Sequence, residues 1–424
     1  MRHLYSAALY LLLPFLLLRM LWRSRRAPAY RRRIAERFGW FVLPGQHRGP
    51  TIWLHAVSLG ETLAAAPLLE SLLQAYPDHR LVVTTTTPTG SALVQARFGE
   101  RVQHVYAPWD LPGSVRRFLH RVQPRLLVIM ETELWPNTLH LCRAQGCRIL
   151  LANGRLSARS AGGYSRFPGL TGQMLGQLDC VACQTREDGE RFLSLGLPDS
   201  ALHITGNIKF DLELSPELMQ RAQQLRQDYC AESRPIWVAA STHAGEESLV
   251  LAAFSEIREA MGDCLLVLVP RHPERFDTVY HLCTAAGWQT LRRSSGTAPG
   301  AAVDIVLFDS MGELLPLLAV ARMVFMGGSL VPHGGHNVLE AAAWGVPVIS
   351  GPHMFNFEEA RRLLVDAGAM EVLRQPHSLG RQSARLLQDP ERCRRMGAAG
   401  RQVVADNRGA RERLLQLVAA ALNT

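Results

Sequence analysis

The sequence predicts an α/β protein of two doubly wound parallel sheets facing a cleft, preceded by a short apolar helix suited to a membrane. Three observations lead there. Short apolar runs alternate with longer amphipathic stretches along the 424 residues, as parallel strands covered on both faces by helices require. The runs form two sets of five, separated by the polar stretch Ser215–Ser233. An uncharged N-terminal segment is followed by clustered arginines. A chain of this length that is 47% hydrophobic divides naturally into two cores. The expected boundaries are 1–25 for the anchor and its basic flank, 26–212 for the first domain and 213–424 for the second.

The first element is the apolar run from Leu4 to Leu18, which continues past Arg19 to Trp22. A full span takes about 20 residues, so this one is short, and workable if Arg19 reaches toward the headgroups. A helix lying in one leaflet is the alternative. In a cleaved leader the charge precedes the apolar run, whereas here Arg19, Arg23, Arg25, Arg26, Arg31, Arg32 and Arg33 lie late in it or beyond. That placement keeps the bulk of the chain in the cytoplasm and attracts anionic lipid. With Arg2, these residues supply +8 of the net charge of +9 before the first acid, Glu36. The basicity is local, so it gives no sign of nucleic-acid binding.

Thr51–Ala56, Leu81–Thr85, Leu126–Met130, Ile149–Ala152 and Val181–Gln184 are the strands of the first domain, and Thr62–Gln74 is a helix between two of them. Ligands of open α/β sheets bind beyond the carboxyl ends of strands, where polar clusters stand here. Ser58-Leu59-Gly60-Glu61-Thr62 follows the first strand. A Glu at a helix start is ordinary capping. The preceding glycine admits a ligand, however, and the position suits a general base taking a proton from an acceptor hydroxyl. Glu131 and Glu133 follow the third strand. In strand-like geometry they share a face, one turned to the cleft and the other structural. Asn153-Gly154-Arg155 follows the fourth strand.

The second set comprises Ile236–Ala240, Leu265–Val269, Asp304–Phe308, Met323–Met326 and Val346–Ile349, with helices over Glu246–Met261 and Asn337–Trp344. Its strands end in Ser241-Thr242-His243, in Pro270-Arg271-His272 and near Met311-Gly312-Glu313. Arg271 and His272 are placed to meet a phosphate. In the stretch Phe325–Gly351 a strand runs into Gly327-Gly328 and Gly334-Gly335, and then into a helix opening near Asn337 with Glu340 one turn in. Glycines let backbone approach a phosphate, a helix start offers N–H groups, and Glu340 would meet a ribose hydroxyl pair. This pattern resembles the nucleotide-sugar site of two-domain glycosyltransferases.

Lys209 is the only lysine in the chain, within Gly206-Asn207-Ile208-Lys209-Phe210-Asp211. An ammonium is a compact point charge, suited to one oxyanion in a tight site where a guanidinium is too wide. Five of the seven asparagines (Asn137, Asn153, Asn207, Asn337, Asn356) lie in these same segments. Eight cysteines in a long cytoplasmic chain make no disulfide framework, and Cys180-Val181-Ala182-Cys183 reads as a buried strand. No Asp-x-Asp occurs and no metal-ligand spacing appears, so no metal is expected. Leaving-group charge would then fall to Arg, Lys and helix N-termini. His243, His333 and His353 are possible helpers, more simply explained as hydrogen-bonded structural residues.

The runs HAVSLGETLAA, METELWPN, NGRLSARS, GNIKFD, STHAGEE, PRHPERF, MGELLPLL and GGSLVPHGGHNVLEAAAWGVPVISGP span nearly the whole chain. Together they resemble the 3-deoxy-D-manno-octulosonic acid (Kdo) transferases of lipid A assembly. The resemblance implies two Rossmann-like domains in the GT-B architecture. It implies an inverting, metal-independent transfer of Kdo from CMP-Kdo to the lipid A precursor (tetraacyldisaccharide bisphosphate), with release of CMP and no cofactor. It carries over Glu61 as general base and Glu131 and Lys209 as transition-state supports. For the CMP it implies Pro270, Arg271, Met311, Gly312, Glu313, Asn337, Val338, Leu339 and Glu340. The implied location is the cell inner membrane, with the catalytic domains on the cytoplasmic side. A membrane-surface transferase using a UDP-sugar and a non-catalytic nucleotide-sugar or lipid binder are the alternatives.

Overall fold

All ten apolar runs are strands in a computed structural model of the chain, which describes residues 1–25, 28–43, 49–230 and 233–423. Arg26 of the basic cluster and residues 231–232 of the polar stretch lie outside those described. The chain divides into two compact units, Met1–Asp211 with Arg408–Thr424, and Leu212–Asn407. The second unit therefore ends before the expected 424, because the last helix rejoins the first. Along Ala410–Asn423, Ala410, Leu414, Val418 and Leu422 repeat at four-residue spacing and are buried among Ile52, Leu54 and Leu68. That stripe completes the core of the first unit.

The first unit carries a seven-stranded parallel sheet: β1 (Thr51–His55), β2 (Arg80–Thr85), β3 (Gln103–Tyr106), β4 (Pro124–Met130), β5 (Arg148–Gly154), β6 (Cys180–Cys183) and β7 (Leu202–Ile204). Their order is β3-β2-β1-β4-β5-β6-β7, with Trp53 in register with Val82 on one side and Leu127 on the other. All four residues of Cys180–Cys183 are buried, and burial pushes both thiols up to about 12, which makes them core residues.

The second unit has β8 (Ile236–Thr242), β9 (Leu265–Pro270), β10 (Thr290–Arg292), β11 (Ile305–Leu307), β12 (Met323–Met326), β13 (Val348–Ser350) and β14 (Met370–Val372). These pair in parallel in the order β10-β11-β9-β8-β12-β13-β14. The four strands that the apolar runs did not reveal are β3, β7, β10 and β14, the two edges of each sheet. Edge strands are short and half-covered, so they lack the continuous hydrophobic run that marks a central strand.

Backbone irregularity concentrates at the carboxyl ends of central strands. Glu131 follows β4 with φ 55°, Asn153 is last but one in β5 with φ 55°, and Ser241 is last but one in β8 with φ 56°. Left-handed conformations at non-glycine residues are costly, and at strand ends they mark places where side chains are being aimed.

Candidate active site

In the first unit, Ser58 caps the helix Leu59–Ala75, its hydroxyl accepting from the N–H of Glu61 at 3.3 Å. The Glu61 carboxylate turns back over the same cap, accepting from Val57 N–H at 2.7 Å and from the Ser58 hydroxyl at 2.7 Å. This is a variant of the capping box in which the N–H of Val57, just before the cap, takes the place of the cap N–H, so Glu61 does serve the helix start. That role does not exhaust the residue. Burial pushes its carboxyl up to about 7, against the two hydrogen bonds, and the charges of Glu133 and Glu131 push the same way. A group poised there exchanges protons near neutrality, unlike an ordinary carboxylate, which is already ionised.

The turn after β4 brings in the other acids. Glu131 is not in strand geometry, so the period-two argument for Glu131 and Glu133 does not apply. The Glu131 Oε1 lies 3.6 Å from Nζ of Lys209, whereas Glu133 accepts from Trp135 Nε1 at 3.2 Å. Burial raises the Glu133 carboxyl, and the Glu131 charge adds to the shift.

Lys209 sits in a short 3-10 turn, Ile208–Phe210, held by a buried amide network. Asn153 Oδ1 accepts from Ile208 N–H, Gln184 Nε2 donates to the Asn153 carbonyl, Asn207 Nδ2 donates to Gln184 Oε1, and Lys209 N–H donates to Asn207 Oδ1. Asn153 is the hub, and its left-handed φ turns the amide into this network. Gln184 was not singled out from sequence. Its only signal was a polar residue closing an apolar run.

In the second unit Pro270 ends β9 and Arg271 N–H donates to the Thr242 carbonyl. The loop beyond is fastened by Arg275, which donates to both oxygens of Glu247 at 3.1 and 3.0 Å. Glu340 accepts from Asn337 Nδ2 at 3.0 Å, and burial raises its carboxyl while Asn337 and the Arg271 charge oppose the shift. Asn337, Glu340 and Arg271 are thus one group, with Val338 and Leu339 buried beside them. The helix here is only the six residues Leu339–Trp344 and opens after Asn337. Its macrodipole is correspondingly small, and local polar groups matter more.

The glycine pair Gly327-Gly328 departs from the phosphate-cradle reading. A Cβ on Gly327 would lie 2.6 Å from the Ser241 carbonyl oxygen, so glycine is required where the chain leaving β12 passes close to the end of its parallel neighbour β8. The amides that follow are filled from within. The buried Glu246 carboxylate accepts from Gly328, Ser329 and Leu330 N–H and from His243 N–H, at 2.7 to 3.0 Å. Glu246 was visible in the sequence only as a helix-start acid. Above it His243 and His336 share an Nε2···Nε2 hydrogen bond of 2.8 Å, and His333 stacks on His243 at 4.3 Å between ring centroids. Burial lowers His243 to about 4 and His336 to about 3, helped by Arg271 and the neighbouring imidazoles.

Met311-Gly312-Glu313 is built differently. Met311 is exposed, Gly312 has φ 84°, and Glu313 accepts from Arg221 and Ser310 at 2.7 Å each. Burial would raise the Glu313 carboxyl, but those hydrogen bonds and the charges of Arg293 and Arg221 hold it below its ordinary value.

Comparison with known proteins bears on the family of the chain. A family model described as 3-Deoxy-D-manno-octulosonic-acid transferase (kdotransferase) matches residues 32–212, and one described as Glycosyl transferases group 1 matches residues 248–403. The chain is 43% identical over 418 residues to the 3-deoxy-D-manno-octulosonic acid transferase of Haemophilus influenzae, covering 98% of each chain. It is 39% identical over 436 residues to that of Bordetella pertussis, again covering 98% of each. Among solved structures, a glycosyltransferase from Rickettsia africae superposes over 88% of this chain and 99% of its own with a TM-score of 0.55 and 12% identity, a likeness of fold.

Proposed function

Because the chain belongs to the Kdo transferase family, we propose that it moves Kdo from CMP-Kdo to a hydroxyl of the lipid A precursor, tetraacyldisaccharide bisphosphate, with inversion and release of CMP. Glu61 takes the proton of the acceptor hydroxyl as that oxygen bonds to the anomeric carbon. The bond from that carbon to the CMP phosphate oxygen breaks, and the electron pair leaves on the phosphate. The observation that carries this reading is the near-neutral Glu61 carboxyl beside the Glu131–Lys209 pair. A base matched to the working pH abstracts a proton most efficiently.

Glu131 and Lys209 support the transition state, Lys209 as the compact cation for charge developing near an anionic sugar. Pro270, Arg271, Met311–Glu313 and Asn337–Glu340 take the CMP, with Arg271 for its phosphate and Glu340 for ribose hydroxyls. The residues named here supply proton transfer and charge neutralisation without a metal. The N-terminal helix, apolar enough to be a candidate anchor, attaches the protein to the cytoplasmic face of the inner membrane, where a lipid acceptor resides.

The test is to incubate the purified protein with CMP-Kdo and the lipid A precursor and to weigh the lipid product. A mass gain by whole Kdo units, with CMP released, is the expected result. Turnover of a UDP-sugar without turnover of CMP-Kdo would overturn it.

A further inference from the structure

We propose that the helix Arg2–Arg23 lies flat in one leaflet, with both of its ends on the same side of the membrane as the body of the protein, and does not cross. This rests on the membrane-attachment reading above. The shielded residues Tyr5, Leu9, Leu13, Leu16, Met20 and Ser24 recur every three or four positions, a single stripe along the whole helix. The stripe rests on the first unit at every level. Tyr5 hydrogen-bonds the carboxylate of Asp110, and Ser6 donates its hydroxyl to Asn137 Oδ1 at 3.0 Å in a buried contact. Leu9, Leu13 and Leu16 face Trp109, Leu111 and Trp135, and Leu16 and Met20 face Trp109 and Thr86. Beyond the helix, Arg31 Nε donates to Ser24 Oγ at 2.6 Å, holding the far end as well.

From Tyr5 to Met20 the helix rises about 22 Å, most of a hydrocarbon core of about 30 Å. Crossing would separate these two residues in depth, yet Tyr5 hydrogen-bonds Asp110 and Met20 lines one cavity with the adjacent Trp109. The body would then have to release them or carry Asp110 and Asn137 into hydrocarbon, where polar groups are expensive. The opposite face supplies the lipid contact. Leu4, Leu11, Phe15, Leu18 and Trp22 are 61 to 82% exposed. Arg19, Arg23 and Arg25 stand at the end of that face, suited to anionic headgroups.

The test places the full-length protein in sealed vesicles of phosphatidylcholine and phosphatidylglycerol and labels it with a membrane-impermeant maleimide. Cys230 is exposed on the body and reports body-outward molecules, while His3→Cys reports the helix start. The expected result is labelling of Cys230 and of the introduced thiol to about the same extent without detergent. An introduced thiol that reacts only after detergent, while Cys230 reacts before it, would show a crossing helix and overturn the inference. A second variant with a cysteine on a short Gly-Ser extension ahead of Met1 reads the same sidedness without touching the docked turn. Flotation separates the two readings. Protein that fails to float with the vesicles refutes attachment itself, whereas floating protein with a shielded N-terminus refutes only the flat placement.

Discussion

The ammonium of Lys209, the only lysine in the chain, lies 3.6 Å from Oε1 of Glu131, a residue held with φ 55° at the end of a buried strand. Both groups are about one-quarter exposed, so the pair is accessible and adds little to stability. The geometry suits binding and chemistry better than scaffolding. Lys209→Arg therefore is expected to fail as a replacement, because the planar fork cannot occupy the space of a point charge. We expect kcat to fall by roughly tenfold or more in Lys209→Arg, about 1.4 kcal/mol of barrier, with thermal stability unchanged. CMP release and a melting curve on the same preparation check both parts.

The Glu61 carboxyl gives a pH signature. With its proton affinity raised to about 7, the base form is lost as pH falls through that value. The rate at limiting acceptor is expected to drop about tenfold per unit below pH 7 and to level above it. Glu61→Gln removes the limb and lowers turnover by roughly a hundred- to ten-thousandfold. Stability runs the other way. A carboxyl that binds its proton more tightly when folded makes the protein more stable at low pH, and this contribution is lost as pH rises from about 4.5 to about 7. The Gln variant should lose that slope along with the activity limb.

The network behind Lys209 predicts a positioning effect. Asn153→Ala removes the acceptor for Ile208 N–H and puts alanine at a φ of 55°. Asn153→Gly relieves the backbone and still loses the acceptor. Both should reduce kcat with little change in the KM for donor, and Asn153→Gly should be the more stable of the two. Equal loss of kcat in both variants would assign the effect to the amide rather than to strain.

Much of this was legible in the residues, and the exceptions share a cause. The ten central strands announce themselves because both faces are covered, while the four edges carry polar residues such as His104, His203 and Arg292. Lys209 could be singled out as a composition outlier, Glu131 as an acid directly after a very apolar strand, and Glu61 by the glycine before it, which admits a ligand. Glu246 could not, since an acid in the first turn of a helix is ordinary until the amides that it accepts from are seen. Gln184 and Asn153 act through contacts with residues 23 to 55 positions away, and no local pattern records that. The return of the last helix to the first unit is likewise invisible, because an amphipathic stripe does not say which core it completes.

Glu246 is expected to be a stability residue of the second unit. It accepts four backbone N–H groups from a fully buried position. Glu246→Ala leaves those donors unmet, and each unsatisfied buried donor costs about 1–3 kcal/mol. The variant should lower the unfolding temperature of the second unit and weaken donor binding together, while Glu246→Gln, which keeps one acceptor oxygen, should be intermediate. Unfolding followed by intrinsic fluorescence, with and without CMP, measures both.

The C-terminal helix makes the last case. Leu414 and Val418 are fully buried in the first unit, and Asp211, the last residue before the crossing into the second, accepts from the backbone N–H groups of Gly409 and Arg411 where the chain returns. Sequence order assigns this helix to the second unit, but its energy belongs to the first. Leu414→Ala should destabilise the first unit by about 2–5 kcal/mol, the range for truncating a buried leucine. Asp211→Ala, which removes only the cap, should cost about 1 kcal/mol. Removing residues 408–424 should unfold the first unit and leave the second folded. A calorimetric scan with two transitions reads this directly. The leucine substitution should shift one transition and spare the other, and a shift confined to the transition of the second unit would refute the assignment.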